Sequence, residues 1–149
     1  MTNSVTQFKD EQDLFATFRS SSKGKLSVFY VDHFSNEVYR LIPSATNNDL
    51  NSVDVLSDKI YELFQTISPF PENKSIPSLS LALPEGKDIQ LDELVFVYSL
   101  SDIRKPSLSY NSGAKMYFMS YSEFEAWKTK SVQSNPEAVV KSIGITIVK

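Results

Sequence analysis

At 149 residues the chain is long enough for one domain whose core needs no disulfide or metal. Its formal net charge of −3 and its scattered Lys and Arg residues argue against a nucleic acid or an anionic membrane as partner. Because the chain has no cysteine, disulfides, thiolate nucleophiles and thiolate metal sites are excluded. No apolar run approaches the ~20 residues that cross a bilayer, so we expect no membrane insertion.

The N-terminal residues are polar and acidic, and they lack the basic-then-apolar plan of a signal peptide. Two compartments stay open at this point. The protein is cytoplasmic, or it is an excised domain of a longer exported protein and works in the periplasm or cell envelope. Residues 1–12 predict a flexible tail, and residues 13–149 predict a single β-rich domain.

Two β-rich runs dominate the first third of the chain. In residues 25–31 one face carries Leu26, Val28 and Tyr30, and the other carries Phe29 and Val31. Apolar side chains on both faces predict a central strand that is covered on both sides. Residues 38–42 predict its antiparallel partner, which ends at Pro43 because proline cannot donate to the ladder.

Further alternating runs predict strands over residues 14–19, 79–83 and 143–148, and a strongly apolar run predicts another strand over residues 94–100. Pro84, Glu85 and Gly86 predict a turn. The segment 50–67 is ambiguous, because its apolar residues recur at helical spacing while residues 59–64 also suit a strand.

One helix is predicted in the C-terminal region. Ser122 and Glu125 have the spacing of a capping box, in which each side chain bonds the other residue's backbone N–H. Phe124 and Trp127 lie three residues apart and therefore share a face that can pack on a sheet. One helix with about six to eight strands predicts a mainly β, β-sandwich-like domain.

The order of these segments resembles the bacterial family catalogued as domain of unknown function 4384, over roughly residues 14–148. The resemblance rests on Leu-Ser-Val-Phe-Tyr-Val (26–31), Val-Tyr-Arg-Leu-Ile-Pro (38–43), the Asn-rich loop, Pro-Glu-Gly (84–86) and Phe-Glu-Ala-Trp (124–127). It implies a β-rich accessory domain without catalytic residues. Members are often joined to caspase-like peptidases or protein kinases and are common in exported or envelope proteins. The resemblance also implies an extended segment at 59–64.

Candidate catalytic and metal-binding residues are few. His33 is the only histidine, whereas a zinc site needs several His or Cys ligands, so we assign it to a solvent-facing turn. No Gly-x-Ser-x-Gly elbow and no glycine-rich phosphate loop occurs. Four carboxylates near Gly86 could in principle hold calcium, but their spacing is not that of an EF-hand. We therefore predict no cofactor and a structural role for Glu85, Asp88, Asp92 and Glu93.

An aromatic-rich stretch near the C-terminus supplies the candidate binding residues, which are Tyr110, Tyr117, Tyr121 and Trp127. Exposed rings of this kind stack on sugars or anchor protein partners. The favoured alternative is core packing, in which Phe124 and Trp127 hold the helix on the sheet. Tyr110, beside Asn111, is the ring expected at the surface.

These observations predict a non-catalytic accessory or interaction domain that binds a protein or an envelope component. Two alternatives stay open. A carbohydrate-binding module would need a coplanar pair of exposed rings between Tyr110 and Trp127. A hydrolase with an unrecognised carboxylate pair would need two acids that converge in one pocket, at least one of them with a raised pKa. The sequence does not define the oligomeric state.

Overall fold

The computed structural model describes residues 5–64, 68–71 and 80–149. Within these residues the chain forms ten strands, one α-helix and a short 3-10 helix, Ala45–Asn47. In chain order the strands and the α-helix are β1 Val5–Lys9, β2 Ala16–Phe18, β3 Gly24–Asp32, β4 Glu37–Ile42, β5 Val53–Val55, β6 Tyr61–Leu63, β7 Ile89–Ser99, β8 Ser109–Asn111, β9 Met116–Ser120, α1 Tyr121–Ser134 and β10 Val139–Val148.

Eight strands form one large sheet in the order β1-β10-β7-β3-β4-β9-β8, and β5 also pairs with β3. All of these pairs are antiparallel except β1 with β10, which is parallel. Strands β2 and β6 form a separate antiparallel pair. The predicted mainly β, sandwich-like fold with one helix near the C-terminus is confirmed, and the number of strands exceeds the six to eight expected.

Strand β3 is the central strand that its sequence predicts. Leu26, Val28 and Tyr30 belong to a large core that β2, β6 and the 80–84 segment cover. Phe29 and Val31 belong to a second, smaller core under α1. Each face of β3 therefore contacts its own apolar layer, which is why both sets of its side chains are buried.

Helix α1 begins two residues earlier than predicted. Ser120 is the N-cap: its hydroxyl accepts from the backbone N–H of Glu123 at 3.2 Å, and Glu123 completes the capping box. The predicted Ser122 and Glu125 pair has the same spacing but lies inside the helix. The earlier start follows from β9, because this strand ends at Ser120 in an extended conformation that suits an N-cap.

Where the structure describes the ambiguous segment 50–67, it contains two short strands, β5 and β6, joined by a turn, in place of a helix. Residues 65–67 lie outside the described part, as does Leu79 of the predicted strand 79–83. The rest of that strand forms only an isolated bridge, between Ser80 and Asp13. Leu81 is nevertheless buried in the large core, so this segment packs without joining a sheet.

The N-terminal region differs from the flexible tail predicted for residues 1–12. Val5–Lys9 form β1 at the edge of the large sheet, hydrogen-bonded along residues 144–148 of β10. Phe8 is buried in the larger core, at 7% exposure. The polar composition hid this strand, because its pairing partner lies at the other end of the chain. Residues 1–4 lie outside the described part.

The packing of α1 predicts unequal costs for truncating its two aromatic residues. Phe124→Ala should lower the free energy of unfolding by about 3–5 kcal/mol, because the ring is fully buried between helix and sheet. Trp127→Ala should cost about 2–3 kcal/mol, because the indole is only half-buried. Urea unfolding followed by circular dichroism measures both changes.

Thr129→Ala is the matched control, since this residue is exposed on the same helix and its truncation should change stability by less than about 0.5 kcal/mol. A loss below about 1 kcal/mol for Trp127→Ala would show that the indole does not hold the helix on the sheet.

Candidate binding site

The four aromatic binding candidates do not converge on one site. Tyr110 and Tyr117 face each other across β8 and β9, with ring centroids 5.0 Å apart. Tyr110 is exposed, as expected. The two ring planes are inclined by 58°, so the pair does not form the coplanar platform that a sugar would need. Tyr121 lies elsewhere, at the start of α1, in edge contact with the ring of His33.

Trp127 packs on the sheet on one side and lines a surface depression on the other. Its ring centroid lies 5.2 Å from that of Phe29, and its indole N–H donates to the carbonyl oxygen of Arg104 at 2.9 Å. The depression, about 670 Å³ in volume, also contains Lys105 and Lys130. Core packing therefore accounts for one side of the Trp127 ring, while its other side lines the depression.

His33 is not an isolated surface residue, because it pairs with Glu93. His33 Nε2 lies 2.6 Å from Glu93 Oε2, and Ser142 Oγ donates to Glu93 Oε1 at 2.7 Å. The carboxylate thus stands between the histidine and the serine. A serine triad requires the histidine in the middle, hydrogen-bonded to the hydroxyl. This arrangement of His33, Glu93 and Ser142 has the wrong order for nucleophilic catalysis.

The carboxylates of residues 85–93 do not form a common site. Asp92 and Glu93 are adjacent on β7, so their side chains leave on opposite faces of the sheet. Asp88 lies near the C-terminus instead, 3.9 Å from Lys149 Nζ. In the described part of the chain, no three His, Cys, Asp or Glu residues are grouped so that they could hold a metal ion.

A cavity of about 190 Å³ lies on the face of the sheet that carries the larger core, beside the β3–β4 turn. Its distinctive groups are two phenol rings and two carboxylates, from Tyr30, Tyr39, Asp32 and Asp92. The rest of the wall consists of Leu41, Ser80, Leu81, Ala82, Pro84, Gln90 and Met116. We call this recess the acidic cavity, because its described lining contains two carboxylates and neither Lys nor Arg.

Strand alternation explains why these groups meet. Tyr30 and Asp32 lie two residues apart on β3, so their side chains leave on the same face. Tyr39 of β4 is the direct cross-strand partner of Tyr30. On the other side Tyr30 is opposite Leu94 of β7, and Asp92 lies two residues from Leu94 on the same face.

Sequence reasoning missed this cavity because it treated Tyr30 only as a member of an apolar face. The available signal was the spacing of Tyr30 and Asp32 together with Tyr39 in the predicted partner strand. Asp92 could not be added from sequence, because its position depends on the register between β3 and β7.

Asp92 is buried, at 6% exposure, and both of its oxygens hold structural donors. Oδ2 accepts from the Tyr30 hydroxyl at 2.6 Å. Oδ1 accepts from the backbone N–H of His33 at 3.0 Å and from Gln90 Nε2 at 2.8 Å. These three donors replace the water that a buried carboxylate loses. Asp92 thereby joins β7 to β3 and its turn, and its bonds to Tyr30 and His33 give it a structural role.

Asp32 stabilises the β3–β4 turn through only one of its two carboxylate oxygens. Its Oδ1 accepts from the backbone N–H groups of Phe34 at 2.9 Å and Ser35 at 3.2 Å. Its Oδ2 accepts no hydrogen bond from the residues that the structure describes. Because an ionised carboxylate has about four acceptor positions, Asp32 keeps acceptor capacity at the wall of the acidic cavity.

The two phenols of the acidic cavity are held in their neutral form. Burial, followed by the hydrogen bond to Asp92, raises the pKa of Tyr30 well above the ordinary phenol value. Burial, followed by the hydrogen bond to Glu37, also raises the pKa of Tyr39. The charge of Asp32 adds to both shifts, so this carboxylate lies within electrostatic reach of both rings.

The chain matches no protein-family model, no curated protein and no solved structure. The resemblance to the family of domain of unknown function 4384 therefore stays a prediction. Among the described residues, no helix is both long enough and apolar enough to cross a membrane.

The environment of Glu93 predicts a pH-dependent contribution to stability. Burial alone would raise the pKa of Glu93, but hydrogen bonds from Ser142 and His33 outweigh it and lower this pKa. A lowered folded-state pKa stabilises the fold above the unfolded value of about 4.3, and this contribution is lost as the pH falls through the folded pKa. The stability difference between wild type and Glu93→Gln should therefore be larger at pH 5.5 than at pH 3.

Urea unfolding at the two pH values measures this difference. Ser142→Ala removes one of the two hydrogen bonds to the Glu93 side chain and should abolish part of the pH dependence. A difference between wild type and Glu93→Gln that stays constant with pH would contradict the assignment.

Proposed function

We propose that this protein is a non-catalytic interaction domain that binds a protein partner, with the acidic cavity as its anchoring site. The observation that carries the proposal is the recess in which Tyr30 and Tyr39 stand beside Asp32 and Asp92. Interface residues that contribute most to affinity are enriched in Tyr, Trp and Arg and cluster in desolvated pockets, and two tyrosines line this one. The resemblance to a family of accessory domains agrees with this role.

Asp32 and Asp92 line one cavity, which is the arrangement of two acids that the hydrolase alternative requires. Their hydrogen bonds nevertheless support binding more than catalysis. A general acid or base must exchange a proton with its substrate, whereas Asp92 uses its oxygens on Tyr30, Gln90 and a backbone N–H. The same bonds fix the Tyr30 side chain before any partner arrives. Side chains that are already ordered lose little conformational entropy on association, which favours affinity.

The proposal predicts that filling the acidic cavity abolishes partner binding. Peptides from a random phage-displayed library are selected on the wild-type chain, and their Kd values are measured by fluorescence polarisation. Ala82→Trp should weaken binding at least about tenfold, because Ala82 is an exposed part of the cavity wall and an indole there occupies the recess.

Ala126→Trp is the matched control, since Ala126 is exposed on α1 and does not line the cavity. This variant should bind the peptides as the wild type does. A selection that enriches no peptide, or peptides that bind both Trp variants equally well, would contradict the proposal. Circular dichroism of both variants verifies that they are folded.

A second candidate function is carbohydrate binding at the depression beside Trp127, which would use this single indole in place of the coplanar pair of rings that the sequence predicted. The volume of the depression, about 670 Å³, lies in the range of about 300–1,000 Å³ that small-molecule sites occupy. Asn51, Lys105 and Lys130 add polar groups around the indole. This function predicts that a glycan array gives a signal that falls in Lys130→Ala and persists in Thr129→Ala; a blank array, or equal signals from both variants, would remove it.

A further inference from the structure

The acidic cavity is too small for a typical free ligand. Sites for small molecules and cofactors usually measure about 300–1,000 Å³, whereas this cavity measures about 190 Å³. At about 30 Å³ per water molecule in the liquid, the cavity has room for roughly six waters. This volume suits a single side chain that enters from a partner's surface.

The charge of the cavity determines which side chain fits. Asp32 and Asp92 line it, and no Lys or Arg stands among its described lining residues. An anionic side chain would meet like charge in a partly dehydrated recess, which costs free energy. An uncharged aliphatic side chain would cover the open carboxylate oxygen of Asp32 without replacing its water. A cation avoids both costs.

We infer that the acidic cavity receives a cationic side chain of the partner, either the ammonium of a lysine or the guanidinium of an arginine. This inference rests on the proposed function and specifies the chemistry of its anchor. Asp32 supplies the acceptor, through the oxygen that the described residues leave without a donor. Asp92 adds negative charge while its own hydrogen bonds hold it in place.

The phenol rings and the apolar wall complete the match. Tyr30 and Tyr39 line the cavity, and an aromatic ring attracts a cation that approaches its face, more strongly where water is excluded. Leu41, Leu81 and Met116 can cover the aliphatic stem of a lysine or arginine. A long side chain with a cationic end therefore contacts apolar wall along its length and acceptors at its tip.

Three small probes of similar length test this chemistry on the full chain. Butylammonium and butylguanidinium imitate the two side chains, and 1-butanol is the uncharged control. We expect both cations to shift the methyl NMR resonances of Ala82 and Met116 in a saturable way, and butanol to leave them unchanged. High salt should weaken the cation response, because the Debye length falls from about 10 Å at 0.1 M to about 3 Å at 1 M.

Asp32→Asn is the decisive variant, because an asparagine oxygen can still accept from Phe34 and Ser35 while the charge is lost. It should weaken cation binding about fivefold. Asp88→Asn makes the same charge change outside the cavity and should leave the affinity nearly unchanged. Equal responses to butanol and the cations, or equal effects of the two variants, would overturn the inference.

The peptides selected under the proposed function separate the two ideas. If they occupy the cavity but bind equally well after Lys→Gln and Arg→Gln replacement, the cationic anchor is wrong and the interaction domain stands. If the cations bind but no selected peptide enters the cavity, the acidic cavity binds a free amine. The proposed partner side chain and the proposed interaction function are then both wrong. Loss of peptide binding on replacement of one basic residue supports both.

Discussion

Strand β3 has apolar side chains on both faces, and the positions of the other elements follow from the burial of both faces. It pairs with β7 along one edge and with β4 and β5 along the other, so its backbone groups are satisfied within the sheet. Its side chains are apolar on both sides, and neither side can face water without a large cost. The β2–β6 pair covers one face and α1 covers the other, where the rings of Phe29 and Phe124 lie 5.0 Å apart.

The alternation that builds the larger core also builds the acidic cavity. Towards the end of β3 the same face passes from Leu26 and Val28 to Tyr30 and then to Asp32. The face thereby changes from apolar to polar before the core is fully closed. A carboxylate on such a boundary must find donors, and Asp92 finds them in a phenol, an amide and a backbone N–H. The acidic cavity lies at the boundary between the apolar packing of the larger core and the hydrogen bonds of Asp92.

Sequence patterns predicted the structural features that depend on neighbouring residues in the chain. They missed the features that depend on pairing between distant segments. The two faces of β3 and its β4 partner followed from period-two alternation, and the Phe124–Trp127 face followed from helical spacing. The helix start was wrong by two residues because two Ser-x-x-Glu pairs overlap, and only the end of β9 selects Ser120. Strand β1 was missed because its polar sequence acquires a partner only through β10. The position of Asp92 beside Tyr30 likewise requires a register that local sequence does not contain.

His33 connects the two faces of the sheet and so fixes the wall of the cavity. Its backbone N–H donates to Asp92 on the side of the larger core, while its imidazole pairs with Glu93 on the helix side. Adjacent residues of β7 thus hold one turn residue from both faces, and the turn in turn holds Asp32 through the N–H of Phe34. A carboxylate anchored in this way keeps its position without a ligand present. The acidic cavity can therefore act as a rigid receptor, in which the cost of ordering the site is met by folding and not by binding.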